Sequence, residues 1–396
     1  MSRVVLAASD DDLARRVSAA ADGDVHVLPP GRLPGDPARL FEQLTDGKLP
    51  EVLMIGPGAP APEVLGLAAR MDAQCPGISV VLVTRPEPEL WQAAMRAGIR
   101  DLLDPGADVG EIRAAIERAA QAAAGRRRAL RPADDTSRYT GRVITVASPK
   151  GGVGKTTVAT NLAIGLTASA PQSTVLVDLD VQFGDVASAL GLVPEHTLPD
   201  AVHGPASQDT MVLKTFLTGH PSGLYAVCGS DSTAAGDTVS AADVTALLTS
   251  LAREFRYVVV DTAPGLSEQT LAALDRATDV VMLSSMDVPG VRGLRKELDV
   301  LRELCMIPAG RHVVMNFADP KGGLSVRDVE TTIGTGVDVV LPRSSAVPAS
   351  TNQGVPLLQS GGRDPMTKEL RRLVARFAAT PLVSPGRVRA RHRAAS

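Results

Sequence analysis

The sequence predicts two three-layer α/β domains, one after the other along the 396 residues. Two observations support this prediction. Short apolar runs of β type alternate with helical segments through most of the chain, which is typical of parallel sheets covered by helices. A glycine- and lysine-rich segment, residues 149–157, directly follows the apolar run Val143–Ala147 and directly precedes an amphipathic helix. We therefore expect a parallel or mostly parallel sheet in each domain.

The first domain, residues 1–124, is predicted from five β-type runs with helices between and after them. The runs are Val4–Ala7, Val25–Leu28, Val52–Ile55, Val80–Val83 and Asp101–Leu103. Five strands at this spacing, each followed by a helix, predict a flavodoxin-like sheet.

A linker is predicted over residues 125–140. The alanine-rich helix Val109–Ala124 leads into Gly125 and three arginines, and then into a polar stretch without apolar periodicity. Some basic runs contact lipid or nucleic acid, but short ones beside linkers are usually solvated. We expect these arginines to be solvated.

The segment after the linker has the pattern of a phosphate-binding loop. A buried strand that runs into a glycine-rich turn and a helix directs backbone N–H groups and a helix N-terminus at one point. Glycines let the backbone wrap around a polyphosphate, Lys155 reaches its outer phosphates, and the Thr156 hydroxyl is a ligand for Mg²⁺. The general pattern is missed at one position, where Pro149 replaces glycine. The predicted phosphate contacts are Gly151, Gly152, Val153, Gly154, Lys155, Thr156 and Thr157.

The loop carries one lysine more than phosphate binding needs, and this lysine, Lys150, is informative. Residues 150–156 match the pattern K-G-G-x-x-K-[ST], and on them the chain resembles the deviant Walker A ATPases of the MinD/ParA type. The resemblance implies a slow, Mg²⁺-dependent ATP hydrolase over residues 141–380. It also implies a homodimer with ATP at its interface, in which Lys150 acts on the partner's phosphates. Lys150 and Lys155 are thus both expected to be catalytic.

Three aspartates at strand ends are expected beside the loop. Asp178 and Asp180 follow the end of the run Thr174–Val177, and Asp261 follows Tyr257–Val260. Side chains at the carboxyl ends of strands meet the ligand in an open α/β sheet. We expect Asp178 and Asp180 to act in catalysis on metal-bound or attacking water, and the resemblance makes Asp261 a Mg²⁺ ligand through water. Each aspartate alone is better explained as a turn or helix cap, but their order behind one loop favours the site.

Contacts to the adenine base are predicted on two later segments. In the family that the chain resembles, an Asn after a late strand and a Pro-containing loop after the last strand hold the base. Here Asn316 follows Val313–Met315, and Pro342 follows Val339–Leu341. The alternative for Asn316 is an asparagine that simply ends a strand.

The first domain resembles a response-regulator receiver that has lost its chemistry. Receivers have acidic residues after the first strand and a phosphorylated Asp at the end of the third. This chain has Asp10, Asp11 and Asp12, but Gly56 stands at the acceptor position and Asp104 stands near the position of the receiver lysine. We therefore expect the acidic residues to form a helix N-cap and first-turn charges. The domain is predicted to be a docking or dimerisation module.

The segment D-V-Q-F-G-D-V-A, residues 180–187, together with a degenerate receiver upstream, resembles the CpaE/TadZ branch of the MinD/ParA family. Members of this branch help to position tight-adherence (Flp-type) pilus or secretion machinery at the membrane. The resemblance implies a pilus or secretion motor, or a polar scaffold protein, as the partner. A ParA-type DNA-partitioning ATPase or a MinD-type septum-site ATPase is the alternative.

The composition limits the remaining function classes. A hydrophobic fraction of 44% and a net charge of −3 indicate an ordinary globular protein and argue against nucleic acid as a partner. Cys75, Cys228 and Cys305 lack C-x-x-C spacing, so we expect neither disulfides nor zinc, and a cytoplasmic location fits. No apolar run approaches the roughly 18 residues of a spanning helix, so any contact with the inner face of the membrane or with a pole is expected to be peripheral. The basic tail, residues 381–396, is predicted to be disordered.

Overall fold

The computed structural model describes residues 3–8, 10–21, 24–29, 31–44, 49–85, 88–130, 141–207, 209–230, 232–308, 310–319 and 322–378. The predicted disordered tail, residues 381–396, and most of the predicted linker lie outside the described residues. The described chain forms two sheets, and its residues divide into two compact units. The first unit contains Met1–Thr136 and Gly204–Thr215, and the second contains Ser137–His203 and Phe216–Ser396.

The elements of the first part of the chain are β1 (Val4–Ala7), α1 (Asp11–Ala20), β2 (Val25–Val27), α2 (Pro37–Glu42), β3 (Val52–Ile55), α3 (Ala61–Gln74), β4 (Ser79–Val83), α4 (Pro88–Arg96), β5 (Asp101–Leu103) and α5 (Val109–Leu130). The elements that follow are β6 (Arg142–Ala147), α6 (Lys155–Ser169), β7 (Thr174–Leu179), α7 (Val186–Ala189), α8 (Leu198–Val202), a short 3₁₀ turn (Gly204–Ser207), α9 (Thr210–Thr215), β8 (Thr218–Gly219), β9 (Tyr225–Val227), α10 (Thr233–Gly236), α11 (Ala241–Glu254), β10 (Tyr257–Thr262), α12 (Glu268–Arg276), β11 (Asp279–Ser285), α13 (Val288–Glu303), β12 (Gly310–Ala318), α14 (Val326–Ile333), β13 (Val339–Pro342), α15 (Ala346–Gln353), α16 (Leu357–Ser360) and α17 (Pro365–Ala378).

The first unit has a parallel five-stranded sheet in the order β2-β1-β3-β4-β5. This is the flavodoxin-like order, so the predicted fold class is confirmed for this part of the chain. The central strand β3 is fully buried, as expected for a sheet with helices on both faces. The 3₁₀ turn and α9 pack against α2 and α3 in the first unit, although residues 204–215 lie within the predicted ATPase domain, residues 141–380.

Helix α5 continues to Leu130, so the predicted helix end at Ala124 and the predicted linker start at residue 125 are wrong. The reason is a tertiary contact. The guanidinium of Arg126 donates hydrogen bonds to the Pro76 carbonyl at 2.5 Å and to the Ser79 hydroxyl at 2.6 Å. These bonds hold the additional helical turns against the start of β4, and Arg126 is half-buried instead of solvated.

The acidic residues after β1 have the role that the sequence predicts. The side chain of Asp10 accepts a hydrogen bond from the Asp12 backbone N–H and caps α1, and Asp11 and Asp12 lie in its first turn. At the position of a receiver acceptor, a Cβ on Gly56 would lie 2.5 Å from the Ala8 Cβ. The end of β1 therefore excludes any side chain at residue 56, and a carboxylate most of all.

The second unit has an eight-stranded sheet in the order β13-β12-β11-β6-β10-β7-β9-β8, in which only the β8–β9 pair is antiparallel among the described strands. Residues of α6 and α17 contribute to the core on one face, and residues of α13 and α14 contribute to the core on the other. Strand β6 lies between β11 and β10, so the loop that follows it opens at the centre of the carboxyl edge of the sheet. None of the described helices is long and apolar enough to span a bilayer.

A buried ion pair connects three elements at the other edge of this sheet. The Arg142 guanidinium on β6 donates to both carboxylate oxygens of Asp279 on β11, at 3.0 and 2.5 Å, and to the Phe377 carbonyl on α17 at 2.8 Å. Burial alone would raise the pKa of Asp279, but the His312 ring, whose Nε2 lies 3.8 Å from the carboxylate, and the hydrogen bonds from Arg142 and Thr278 outweigh it and lower the pKa to about 2. The pair is therefore charged at every physiological pH.

We predict that Arg142→Met lowers the free energy of unfolding by about 3–5 kcal/mol, because it leaves the Asp279 carboxylate buried without its main partner. Chemical denaturation measures this change. The matched control is Arg295→Met, which breaks an exposed 3.8 Å pair with Asp299 and should cost at most about 1 kcal/mol. The double variant Arg142→Met/Asp279→Leu should recover much of the loss. Equal effects of Arg142→Met and Arg295→Met would contradict a structural role for the buried pair.

Candidate functional site

The loop between β6 and α6 has the geometry of an anion-binding turn. Gly152 and Gly154 have positive φ angles of 73° and 95°, which a side chain would strain, and Gly154 is the N-cap of α6. The Ser148 hydroxyl accepts a hydrogen bond from the Lys150 N–H at 3.2 Å and donates one to the Lys150 carbonyl at 3.0 Å, which keeps the turn compact. The backbone N–H groups at the N-terminus of α6 provide positive potential for a phosphate.

Asn316, which is predicted to contact adenine, is hydrogen-bonded to this loop. Its side-chain N–H donates to the Val153 carbonyl at 2.8 Å, and its side-chain oxygen accepts from the Phe317 N–H at 2.8 Å. A Cβ on Gly154 would lie 2.7 Å from the Asn316 nitrogen. The structure thus places Asn316 at the site, with its amide engaged by the protein backbone.

Pro342 ends β13, where its register partner on β12 is Ala318. Asn316 lies two residues before the end of β12, and Pro342 ends the neighbouring strand β13 of the same sheet. Their role in base recognition remains a prediction.

The residues predicted to hold Mg²⁺, Thr156 and Asp261, are brought together. The Thr156 hydroxyl donates a hydrogen bond to one Asp261 oxygen at 2.6 Å, and Asp261 is buried at the end of β10. The other Asp261 oxygen is buried and has no hydrogen-bond partner among the described residues. Burial raises the pKa of Asp261 to about 7, although Thr156 and Lys155 lower it. A hydroxyl and an unsatisfied carboxylate oxygen are ligands that a hard cation prefers, so the residues present fit Mg²⁺.

Lys155 is the first residue of α6, and only 8% of it is exposed. Burial lowers the pKa of its ammonium group, and the charges of Asp261, Asp180 and Glu297 raise it. The lysine is therefore a buried cation among carboxylates, at the N-terminus of the helix that faces the loop.

The two aspartates predicted to act on water have different environments. Asp178 is fully buried, and its two oxygens accept hydrogen bonds from the backbone N–H groups of Asp180 and Val186, each at 3.1 Å. A Cβ on Gly184 would overlap the Asp178 carboxylate. Burial, and then the charge of Asp261, raise the pKa of Asp178 well above its ordinary value. Asp178 therefore shapes the loop over residues 180–186, and its burial argues against the predicted direct role in catalysis.

Asp180 remains accessible at the site. It is half-exposed, and one of its oxygens accepts a hydrogen bond from the Phe183 N–H at 3.2 Å. Its charge acts on both Lys155 and Asp261, which places it beside the predicted phosphate and metal positions. Asp180 is thus the better placed of the two for contact with water.

Lys150 is exposed, and its side chain extends along α13 instead of across its own loop. A Cβ on Gly293 would lie 3.9 Å from the Lys150 Cε. Its charge also helps to lower the pKa of Asp287, for which a hydrogen bond from Ser285 is the larger cause. The ammonium group is therefore available at the protein surface next to the loop.

One acidic residue near the loop, Glu297 on α13, was not predicted from the sequence. Only 5% of it is exposed, and burial raises its pKa to about 7, while Lys155 lowers it. A signal was present in the sequence, since Leu294, Glu297 and Leu301 lie on one helical face and the other two are apolar.

Comparisons with known proteins agree with this geometry. The AAA_31 family model, an AAA domain, matches residues 141–306. The septum site-determining protein MinD of Thermotoga maritima is 27% identical over 228 residues, which are 56% of this chain and 82% of that protein. The chromosome partitioning protein ParA of Myxococcus xanthus is 26% identical over 241 residues, 55% of this chain and 81% of that protein.

Two solved structures have the same fold at lower identity. The ParA family ATPase of Chlorobium tepidum aligns with a TM-score of 0.55 at 20% identity, over 59% of this chain and 98% of that one. MinD of Pyrococcus horikoshii, solved with Mg-ADP, aligns with a TM-score of 0.54 at 17% identity, over 60% of this chain and 96% of that one. Together with the K-G-G-x-x-K-T loop and the Thr156–Asp261 pair, the family match shows that residues 141–306 contain an AAA domain with a P-loop, and the chain is similar to the P-loop ATPases MinD and ParA over a little more than half of its length.

Proposed function

We propose that the chain binds ATP with Mg²⁺ at the loop of residues 149–157, hydrolyses it slowly, and forms a homodimer in the ATP state. The observation that carries the proposal is the hydrogen-bonded pair of Thr156 and the buried Asp261, which has an unsatisfied carboxylate oxygen beside the buried Lys155. A hydroxyl, a carboxylate and an ammonium at one helix N-terminus match the needs of a metal-bound polyphosphate.

Each residue has a defined task in this proposal. The backbone N–H groups of residues 151–157 and the Lys155 ammonium bind the phosphates, and Thr156 and Asp261 hold the metal, Asp261 through water. Mg²⁺, when bound, supplies charge neutralisation at the outer phosphates. Asp180 is half-exposed and is oriented by the Phe183 N–H, so it is suited to orient an attacking water. Asn316 stabilises the loop through its hydrogen bond to the Val153 carbonyl.

The second lysine explains why hydrolysis is expected to be slow in a single chain. Lys150 lies at the surface beside the loop, and its charge is directed toward α13. In a face-to-face dimer it acts on the partner's phosphates, as an additional cation supplied in trans. Turnover then depends on dimer formation, and ATP occupancy and dimerisation form one switch.

For the cellular role, we propose that the switch positions or assembles tight-adherence pilus or secretion machinery at the inner face of the membrane or at a pole. Residues 180–187 and the flavodoxin-like first unit support this assignment. Because Gly56 leaves no room for an acceptor carboxylate, the first unit is suited to docking and not to phosphotransfer. Dimerisation would pair two such units and raise the effective concentration of a bivalent partner site.

The alternative is a DNA-partitioning or septum-site ATPase. The names of the relatives, MinD and ParA, support this alternative. A net charge of −3 does not favour DNA as a partner, and the five strands of the flavodoxin-like sheet precede residues 141–306, which the AAA_31 model matches.

We predict that Lys150→Ala binds a non-hydrolysable ATP analogue about as well as the parent but no longer dimerises, because its charge acts across the interface. Light scattering with and without the analogue measures dimerisation, and calorimetry measures binding. Lys155→Ala is the matched comparison and should lose binding itself, since it removes the cation that contacts the phosphates. If Lys150→Ala dimerises as the parent does, the role in trans is wrong. If Lys155→Ala hydrolyses ATP at the parental rate, the site is wrong.

We predict that the fluorescently tagged full chain forms foci at the membrane or at a pole of its own cells and that Lys150→Ala disperses them, because docking depends on the dimer. Piliation or secretion should fail in the same variant. A coat over the nucleoid, with ATP-dependent binding to random duplex that falls steeply with salt, would support partitioning instead. Misplaced septa without a piliation defect would support the septum-site alternative.

A further inference from the structure

Helix α13 carries Glu297 one turn beyond the point where the helix contacts the phosphate-binding loop. One turn earlier on the same helix, a Cβ on Gly293 would lie 3.2 Å from the Pro149 Cγ, so this face of α13 contacts the loop. Residues four apart lie on one helical face, which directs Glu297 toward the base of the loop, where Lys155 begins α6. Glu297 has no task in the proposed mechanism.

The carboxyl group of Glu297 is unusual because it is buried without a hydrogen bond. Only 5% of the residue is exposed, and neither carboxylate oxygen has a hydrogen-bond partner in the part of the chain that the structure describes. A buried unpaired carboxylate is costly, and such groups usually become neutral or find a counter-charge. The counter-charge here is Lys155, whose charge lowers the pKa of Glu297 while burial raises it.

The other charged groups on the elements around Glu297 are engaged elsewhere or are solvated. On α13 itself the remaining charged side chains beside it are exposed: Arg292, Arg295, Lys296 and Asp299. On β11, Asp279 is paired with Arg142. On α14, Asp328 accepts hydrogen bonds from Ser325, and Glu330 accepts one from the Val337 N–H. The charge state of Glu297 is therefore coupled chiefly to Lys155.

We propose that Glu297 is a positioning residue for Lys155: its carboxylate balances the lysine charge in the nucleotide-free protein, and it takes up a proton from solvent when Lys155 engages the phosphates. This inference rests on the proposed ATP site. A bound polyphosphate cancels the field of Lys155 at Glu297, and without that field burial favours the neutral acid. Nucleotide binding and protonation of Glu297 then promote each other.

The sign of the pH dependence follows from this linkage. Glu297 has a pKa of about 7 in the folded protein. Above that pH its carboxylate competes with the phosphates for Lys155, so nucleotide affinity should fall as the pH rises through 7. Below that pH the Glu297 side chain is neutral and does not compete for Lys155, so Glu297 no longer lowers the nucleotide affinity.

We predict that Glu297→Gln abolishes the proton uptake that Glu297 contributes. The measurement is calorimetric titration of the full chain with Mg²⁺ and a non-hydrolysable ATP analogue at about pH 7.5, in two buffers of different ionisation enthalpy. The parent should take up a fraction of a proton more than Glu297→Gln does. Between about pH 6 and pH 8.5 the parent should lose roughly fivefold more affinity than the variant, near the lower end of typical coupling between sites. Glu303→Gln, on the exposed end of the same helix, is the matched control and should behave as the parent does.

A second measurement tests the buried carboxyl group without nucleotide. Because the pKa of Glu297 is raised from about 4.3 in the unfolded chain to about 7 in the folded protein, its contribution to stability is fully present below about pH 4.3 and is lost as the pH rises through 7. The melting temperature of Glu297→Gln should therefore rise relative to the parent between about pH 5 and pH 8. Should Glu297→Gln not fold, Glu297→Met replaces it in both measurements.

The outcomes separate the two proposals. Equal proton uptake and equal pH dependence in parent and Glu297→Gln, with normal nucleotide binding in both, would overturn the role of Glu297 alone. No binding heat with the parent in any buffer would overturn the ATP site and this inference with it. A difference in melting temperature that does not change with pH would also overturn the inference, because Glu297 would then be no buried titrating acid.

Discussion

The site depends on one buried ammonium group, that of Lys155, and on the nearby carboxyl groups whose charges favour its charged form. A lysine with only 8% exposure at a helix N-terminus is unfavourable, since both burial and the helix dipole oppose its charge. Asp261, Asp180 and Glu297 compensate, and they come from three different elements. The sheet brings these elements together because its parallel strands all end at one edge. The charges on the loop, the strands and α13 therefore interact with one another through Lys155. A polyphosphate that binds Lys155 would change all of these interactions.

A second constraint is the loop that carries Asp180. The buried Asp178 carboxylate accepts hydrogen bonds from backbone N–H groups at both ends of this loop. Gly184 has no side chain and so leaves the space that this carboxylate fills. A loop held at its two ends by one buried group can change position only as a unit. The position of Asp180 relative to Lys155 thus depends on Asp178, which is fully buried.

The sequence predicted those parts of the structure that depend on local pattern. The strand–glycine turn–helix order identified the loop, and the alternation of strands and helices gave the fold class of both sheets. It did not separate Asp178 from Asp180, because residues two apart in a strand share a face and only the turn after Leu179 redirects the second one. Glu297 was missed for a similar reason, since only the packed structure shows that its buried carboxylate has no hydrogen-bond partner among the described residues. The end of α5 was predicted too early because Arg126 finds its partners, Pro76 and Ser79, some fifty residues earlier in the chain.

The assignment of Gly204–Thr215 to the first unit has a practical consequence for how this protein can be divided. Val212 and Leu213 are buried where α9 packs against α2 and α3, so the first unit is assembled from two separate stretches of chain. A fragment that begins after the linker would carry α9 without the helices that cover it, and those apolar side chains would meet water. Such a fragment is expected to aggregate unless α9 is replaced by a polar connection between His203 and Phe216. The same arrangement means that recombination at a single crossover cannot exchange the first unit as a cassette.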